Sequence, residues 1–139
     1  MRYHETTVTV RFNEIDAYRV AWHGHYVAWM EIGRNALAGR FGLDAFQLVA
    51  AGYLGPVIGL ELKFLSPARF NDELTIQTTL QRTETATLKF VTTIVGPEGN
   101  RLATGTTTHA LTDMDGGLQF QLPAVIAERV NRLLAWLEV

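Results

Sequence analysis

The 139-residue chain contains no cysteine and a single serine, and these two shortages exclude common types of hydrolase. Without cysteine there is neither a disulfide nor a thiolate nucleophile. The one serine, Ser66, precedes a proline and lacks the flanking glycines of the G-x-S-x-G elbow that presents a nucleophilic serine. If the chain is a hydrolase, a carboxylate or an activated water must attack its substrate.

Net charge and long apolar runs are also in short supply. The formal net charge is −2 and the pI is about 6.1, unlike the basic composition of a nucleic-acid-binding domain. No apolar run approaches the roughly 20 residues of a membrane-spanning helix. The polar, alternating start MRYHETTVTVRF does not resemble a signal peptide. We therefore expect one soluble, cytoplasmic domain over residues 1–139, with no nucleic-acid or membrane partner.

A long helix is predicted from about Gly24 to Phe41, because apolar residues recur there with helical spacing. Its apolar face is formed by Tyr26, Met30, Gly33, Leu37 and Phe41. Its polar face is formed by Glu31, Arg34, Asn35 and Ala38. We interpret Glu31 as a surface residue, and we expect Gly33 to let a neighbouring segment approach the helix closely. Gly42 is placed to end the helix in a left-handed conformation.

Alternating and β-branched segments predict strands on both sides of this helix. These segments are Thr6–Phe12, Ile58–Phe64, Leu74–Leu80, Leu88–Val95 and Arg101–Thr112. Short turns join the last four, so we expect strands adjacent in sequence to pair antiparallel. A C-terminal helix is expected to begin at Pro123 and to bury Ile126, Val130, Leu133 and Leu137. The predicted fold is α+β, with a curled antiparallel sheet of about five strands around one long central helix.

Three blocks of sequence resemble the hotdog-fold acyl-CoA thioesterases, in particular the YbgC and 4-hydroxybenzoyl-CoA thioesterase group. The first block is Val10-Arg11-Phe12, Glu14-Ile15-Asp16, Trp22-His23 and Tyr26. The second is Phe64–Arg69 with Asp72–Ile76, and the third is the Gly-containing stretch from Asp113 to Pro123. The blocks occur in the family's order and span the whole chain. Tyr18 and Arg19 depart from the pattern, since the family often has glycine at these places.

The resemblance implies a role for each residue of the first block. Asp16 would be the nucleophile that forms an acyl-enzyme or the general base that activates water. Backbone N–H groups near Trp22 to Gly24 would stabilise the oxyanion at the helix start, and His23 would orient the thioester or the attacking water. The expected substrate-binding residues are Tyr18, Arg19, Trp22, Gly24 and Tyr26. Candidates for the phosphates of coenzyme A are Lys63, Arg69 and Lys89.

The resemblance also implies that no cofactor is needed and that homodimers or homotetramers form. Its expected partner is a thioester of coenzyme A or of acyl carrier protein.

Other interpretations of the same residues remain open. Asp16 and His23 could serve only as caps of a turn or helix. His23 and His25 could bind a metal with Asp16, although residues two apart diverge on a helix, so we expect no metal site. The chain could also be a hotdog module that binds an acyl group or acyl carrier protein without catalysis.

Overall fold

The computed structural model describes all 139 residues, which form one main sheet, a two-stranded ribbon and three helices. The helices are α1 (Gly24–Gly39), α2 (Ala45–Ala50) and α3 (Ala124–Glu138). The strands are β1 (His4–Thr9), β2 (Tyr53–Leu54), β3 (Val57–Phe64), β4 (Glu73–Gln81), β5 (Thr87–Val95), β6 (Arg101–Ala110) and β7 (Thr112–Asp113). No helix has the length and apolar character required to cross a membrane.

The main sheet has five antiparallel strands in the order β1-β4-β5-β6-β3, and β2 pairs with β7 separately. The expectation that all strands adjacent in sequence pair with each other is wrong for β3 and β4. β3 pairs with β6, from Phe64 opposite Ala103 to Val57 opposite His109. The eight residues between β3 and β4 instead carry the chain to the other side of the sheet. Consequently β3 is an edge strand, and one of its sides has no partner strand.

Helix α1 lies across the inner face of this sheet and begins and ends close to its predicted limits. Its buried residues are Tyr26, Trp29, Met30, Gly33, Leu37 and Ala38. Ala38 was expected on the polar face but is 2% exposed, because it packs against the C-terminal part of the core. Gly33 faces β4 so closely that a Cβ atom there would lie 2.6 Å from Ile76 Cγ2. The close approach predicted at Gly33 is thus confirmed.

The core consists of two clusters at opposite ends of α1. The first cluster contains Tyr26 and Met30 from the start of α1, together with residues of β4, β5 and β6. The second joins Leu37 at the end of α1 to the buried stripe of α3. The predicted stripe of α3 is confirmed, since its four residues are at most 9% exposed. Gly42 has a φ of +78° just after α1, as expected for a left-handed cap.

Candidate active site

The residues between the 3-10 turn Phe12–Glu14 and α1 form a tight loop closed by backbone hydrogen bonds. Ile15 and Ala21 make an antiparallel bridge, and the amide of Asp16 donates to the carbonyl of Val20 at 2.9 Å. Arg19 donates back to the carbonyl of Asp16 at 3.0 Å. Its φ of +66° lies in the left-handed region that glycine adopts most easily. Arg19 therefore takes the backbone conformation for which the resembling family often uses glycine.

The carboxylate of Asp16 is oriented by its own loop. Its Oδ1 atom accepts a hydrogen bond of 2.8 Å from the amide of Tyr18, so the capping role does exist. No protein group donates to Oδ2. One oxygen is thus held in place, the other has no protein donor, and Asp16 lines a cleft.

This cleft, which we call the Asp16 cleft, has a volume of about 390 Å³ and is open to solvent. It is lined by Asp16, Tyr18, Val20, Ala21, His23, Tyr26 and the segment Phe64–Pro67. One wall is the loop before α1, and the other is the chain as it leaves β3. The cleft is apolar apart from a few polar groups that converge near the start of α1, as is common in small-molecule sites.

Tyr26 holds the two walls together. Its ring meets Phe64 edge-on at 5.0 Å, and its hydroxyl accepts a hydrogen bond of 3.0 Å from the amide of Ala68. The carbonyl of Ala68 in turn accepts from the amide of Ala21 at 2.8 Å. Burial, together with the negative charges of Asp16 and Asp72, raises the pKa of the Tyr26 phenol. Tyr26 therefore stays a neutral phenol that fixes the cleft.

The start of α1 supplies unpaired backbone donors beside the Asp16 cleft. The amide of Trp22 is not one of them, because it donates to the carbonyl of Glu14 at 2.9 Å. The amides of His23 and Gly24 have no acceptor within the protein. Unpaired amides in the first turn carry the positive end of the helix dipole. The candidate oxyanion donors thus narrow from three residues to His23 and Gly24.

Trp22 lies over Gly24, outside the lining of the cleft. A Cβ atom on Gly24 would come 2.2 Å from the six-membered part of the Trp22 indole. The indole also packs against the rings of His23 and His25, with centroids 5.0 and 5.5 Å away. Absence of a side chain at Gly24 is therefore what allows Trp22 to cover the first turn of α1.

Buried Glu14 and partly exposed His25 form a pair that the sequence analysis missed. Glu14 is 4% exposed and accepts a hydrogen bond of 2.7 Å from the amide of Arg11. Its Oε2 lies 3.9 Å from Nδ1 of His25. Burial acts to raise the pKa of Glu14, but the amide and guanidinium of Arg11 and the nearby His25 outweigh burial, so its pKa is lowered. The only sign of this buried carboxylate in the sequence was the position of Glu14, two residues before Asp16.

The remaining predicted binding residues lie outside the cleft lining. Arg19 is exposed on the far side of the loop, and neither it nor Trp22 and Gly24 lines the cleft. Lys63 and Lys89 alternate with inward-facing Phe64 and Phe90, so they point to the outer face of the sheet, away from α1. Only Arg69, two residues after Pro67, stays close to the cleft.

The two histidines of the His-Gly-His motif diverge. His23 lines the cleft, whereas His25 is directed towards Glu14 and packs between Trp22 and Trp29. Nowhere does the structure bring together three His, Cys, Asp or Glu side chains in an arrangement that could hold a metal ion.

Comparison with known proteins identifies the family. The sequence pattern of the thioesterase-like superfamily matches residues 10–130, and the chain therefore belongs to that superfamily. The Bacillus subtilis protein named "Putative acyl-CoA thioesterase YneP" is 24% identical over 108 residues, 78% of either chain. "Putative esterase sll0410" from Synechocystis is 29% identical over 134 residues, 95% of this chain and 81% of that one.

A solved structure has the same fold. The DHNA-CoA thioesterase of Staphylococcus aureus has a TM-score of 0.85 with this chain at 20% identity, covering 97% of this chain and 93% of that one. The hotdog fold predicted from the sequence is confirmed, and so is the predicted enzyme class, a thioester hydrolase.

Proposed function

We propose that this protein hydrolyses acyl-CoA thioesters and that Asp16 is its essential carboxylate. The observation that supports this most directly is the state of Asp16. Its Oδ1 is fixed by the amide of Tyr18, its Oδ2 has no protein donor, and the residue lines a largely apolar cleft. Coenzyme A as the carrier is supported by the name of the relative YneP and by the DHNA-CoA thioesterase structure. Without cysteine or a serine elbow, the attacking group that remains is a carboxylate or a water that it activates.

The proposed reaction uses the two sides of the cleft differently. The thioester carbonyl would lie with its oxygen towards the amides of His23 and Gly24, where the negative charge of the tetrahedral intermediate is stabilised. Asp16 Oδ2 then attacks the carbonyl carbon, or it removes a proton from a water that attacks. Collapse of the intermediate breaks the C–S bond, and the sulfur leaves as a thiolate that takes up a proton derived from water. Where Asp16 attacks directly, the acyl group remains on it as a mixed anhydride until a water hydrolyses it to the free acid; where Asp16 activates water, the free acid forms at once. His23, at the mouth of the cleft, orients the water or the thioester by hydrogen bonding.

We also propose that the protein works as a homodimer built on the free edge of β3. Val57, Ile58, Leu60 and Phe64 along this strand are 48–63% exposed. An exposed apolar edge strand readily pairs with another strand. Light scattering should therefore show a dimer or a multiple of it at micromolar concentration, and an active monomer would contradict this proposal.

The test of the catalytic assignment is Asp16→Asn. The amide oxygen can still accept from Tyr18, so the loop and its stability should be kept, while the negative charge and the base are lost. Removing a general base or nucleophile lowers kcat by about 10²–10⁴-fold. Thiol release from a panel of acyl-CoAs, followed with a thiol reagent, measures this loss.

Asp115→Asn is the matched control, because Asp115 is exposed in the turn after β7 and its side chain makes no hydrogen bond. It removes the same charge and should leave kcat unchanged. Full activity of Asp16→Asn would show that Asp16 is only a cap. A wild-type protein that releases no thiol from any acyl-CoA or acyl carrier protein thioester, yet binds them, would favour the non-catalytic module.

A further inference from the structure

A second cleft, which we call the Arg34 cleft, lies between the second half of α1, α2 and strands β5 and β6. Its volume is about 100 Å³, somewhat below the ~150 Å³ of an apolar cavity that binds benzene. Most of its lining is apolar, including Leu48, Leu54 and Phe90. The space suits a short carbon chain or the far end of an aromatic ring.

His109 forms a fixed, uncharged wall of this cleft. Its Nδ1 lies 3.0 Å from the carbonyl oxygen of Gly55 and must donate to it. Nε2 therefore accepts from the hydroxyl of Thr107 at 3.2 Å. Burial lowers the pKa of His109, and the positive charge of Arg34 lowers it further. With both ring nitrogens occupied, His109 has no polar atom left for a ligand.

Besides His109, the polar side chains that line the cleft are Arg34, Asn35 and Asp44, and Arg34 is the only cation among them. Its side chain is only 16% exposed, and its one partner is the exposed carboxylate of Glu31 at 3.1 Å. A guanidinium carries five N–H donors, so several are unused. A mostly buried cation beside an apolar cavity matches a ligand with an apolar body and an oxygen acceptor at its end.

The topology of β3 relates the two clefts. The Asp16 cleft lies at the end of β3, where Phe64 leads into the Leu65–Pro67 wall. The Arg34 cleft lies at its beginning, where Gly55 precedes Val57 and His109 pairs with Val57. When two identical edge strands pair antiparallel about a two-fold axis, the end of one lies beside the beginning of the other. Each Asp16 cleft of the dimer would thus adjoin the Arg34 cleft of the second copy.

Helix α1 is consistent with this arrangement. A two-fold axis normal to the sheet keeps both α1 helices on the same face and sets them antiparallel, side by side. On the flank of α1 that carries Arg34, Val27 lies about two turns before it and is 37% exposed. Val27 would be covered by the neighbouring helix.

We propose that Arg34 of one copy binds an oxygen substituent, a hydroxyl or carboxylate, on the acyl group whose thioester is attacked by Asp16 of the other copy. The inference rests on the proposed thioesterase function and adds a substrate class to it. That class comprises compact acyl or aryl groups with an oxygen far from the thioester.

Matched pairs of substrates test the recognition. Hexanoyl-CoA and adipoyl-CoA differ by a terminal carboxylate, and benzoyl-CoA and 4-hydroxybenzoyl-CoA differ by a hydroxyl. Arg34→Met should lower kcat/KM by about 10- to 100-fold for the oxygen-bearing member of the preferred pair, and little for the other member. Arg132→Met, on the exposed face of α3 at 57% exposure, is the control and should change neither. An equal effect of Arg34→Met on both members of each pair would overturn the inference while leaving the thioesterase function intact.

A heterodimer of Asp16→Asn and Arg34→Met subunits, purified with two different tags, tests whether the site is shared. If Arg34 acts across the dimer, one site carries both changes and the other carries neither. The heterodimer should then recover about half of wild-type activity, although each homodimer is impaired. If Arg34 acts with Asp16 of its own chain, every site carries one change and no activity returns, which refutes the shared site.

Binding keeps the inference testable even if no acyl-CoA is hydrolysed. The affinity of the Asp16→Asn protein for the same paired CoA esters can be measured by titration calorimetry. Preference for the oxygen-bearing member should disappear when Arg34→Met is added. An unchanged preference would exclude Arg34 as the recognition group.

Discussion

Gly33→Ala puts the packing of the central helix to a direct test, because two effects of opposite sign compete there. Alanine in place of glycine favours a helix by about 1 kcal/mol. Against this, the new Cβ would lie 2.6 Å from both Ile76 Cγ2 and Thr78 Oγ1 on β4. Carbon atoms pack best about 3.5–4.0 Å apart, so helix and sheet must separate by roughly 1 Å.

The relative size of the two effects decides whether Gly33→Ala stabilises or destabilises the protein. Both opposing atoms belong to β-branched side chains, which have few alternative rotamers and cannot easily turn away. Overpacking of this kind costs about 1–3 kcal/mol, and the rigid neighbours place Gly33 in the upper part of that range. After subtracting the helix term, we expect a net loss of about 1–2 kcal/mol, which is a fall in Tm of roughly 3–10 °C for a chain of this size.

Thermal unfolding followed by circular dichroism, at one fixed protein concentration, measures this change. Ala28→Gly, on the exposed side of α1, measures the difference in helix propensity between alanine and glycine without any change in packing against the sheet. Adding Thr78→Ala to Gly33→Ala removes one of the two close contacts, and the pair should show favourable coupling. Should Gly33→Ala instead stabilise the protein by the full helix term, β4 would be free to move and the reasoning would be refuted.

The other predictions concern residues at the start of α1. The pKa of Glu14 is lowered in the folded state, so its carboxylate stabilises the fold at neutral pH. This stabilisation is lost as the pH falls from about 4.5, the usual glutamate value, through the folded pKa. Glu14→Gln should therefore lower Tm at neutral pH and make Tm decline less steeply in acid, which Tm measured between roughly pH 3 and pH 7 would show. If the Tm curve of the variant were only shifted in parallel, this prediction would be wrong. At His23, Ala should lower kcat less than Asp16→Asn does, and Asn should retain more activity than Ala because it keeps a donor and an acceptor. Equal kcat values for the two His23 variants would mean that no hydrogen bond from this side chain matters.

Local patterns in the sequence predicted the elements well, whereas contacts between distant segments were harder to predict. The limits of α1 followed from its apolar spacing, and the stripe of α3 was correct in every residue. The first strand was predicted to reach Phe12, but β1 ends at Thr9. The ladder ends because the carbonyl of Val10 accepts from Asn71 instead of Asp72, where the partner segment turns with a φ of +68° at Asn71. A turn in the partner segment leaves no signal in the sequence of the first strand.

In the candidate active site, too, local features could be predicted and contacts between distant segments could not. The sequence alone brought Asp16 and His23 to attention, and they do line one cleft. The second wall of that cleft, Phe64–Pro67, depends on the position of β3 at the sheet edge, which local spacing does not encode. The pairing of Glu14 with His25 was missed for a related reason, since the loop between them folds back on itself. Trp22 packs against the rings of His23 and His25, which is the commonest role of an aromatic residue.

The left-handed conformation of Arg19 bears on how this loop can vary among related sequences. A residue with a Cβ atom pays of order 1 kcal/mol to hold that conformation. Glycine would avoid this strain, but it would lose more conformational freedom on folding, by a similar amount. The two hydrogen bonds between Asp16 and the Arg19–Val20 pair set the loop path whichever residue is present. This position can therefore drift between glycine and larger residues at almost no net cost, so a missing glycine in a distant homologue does not imply a different loop.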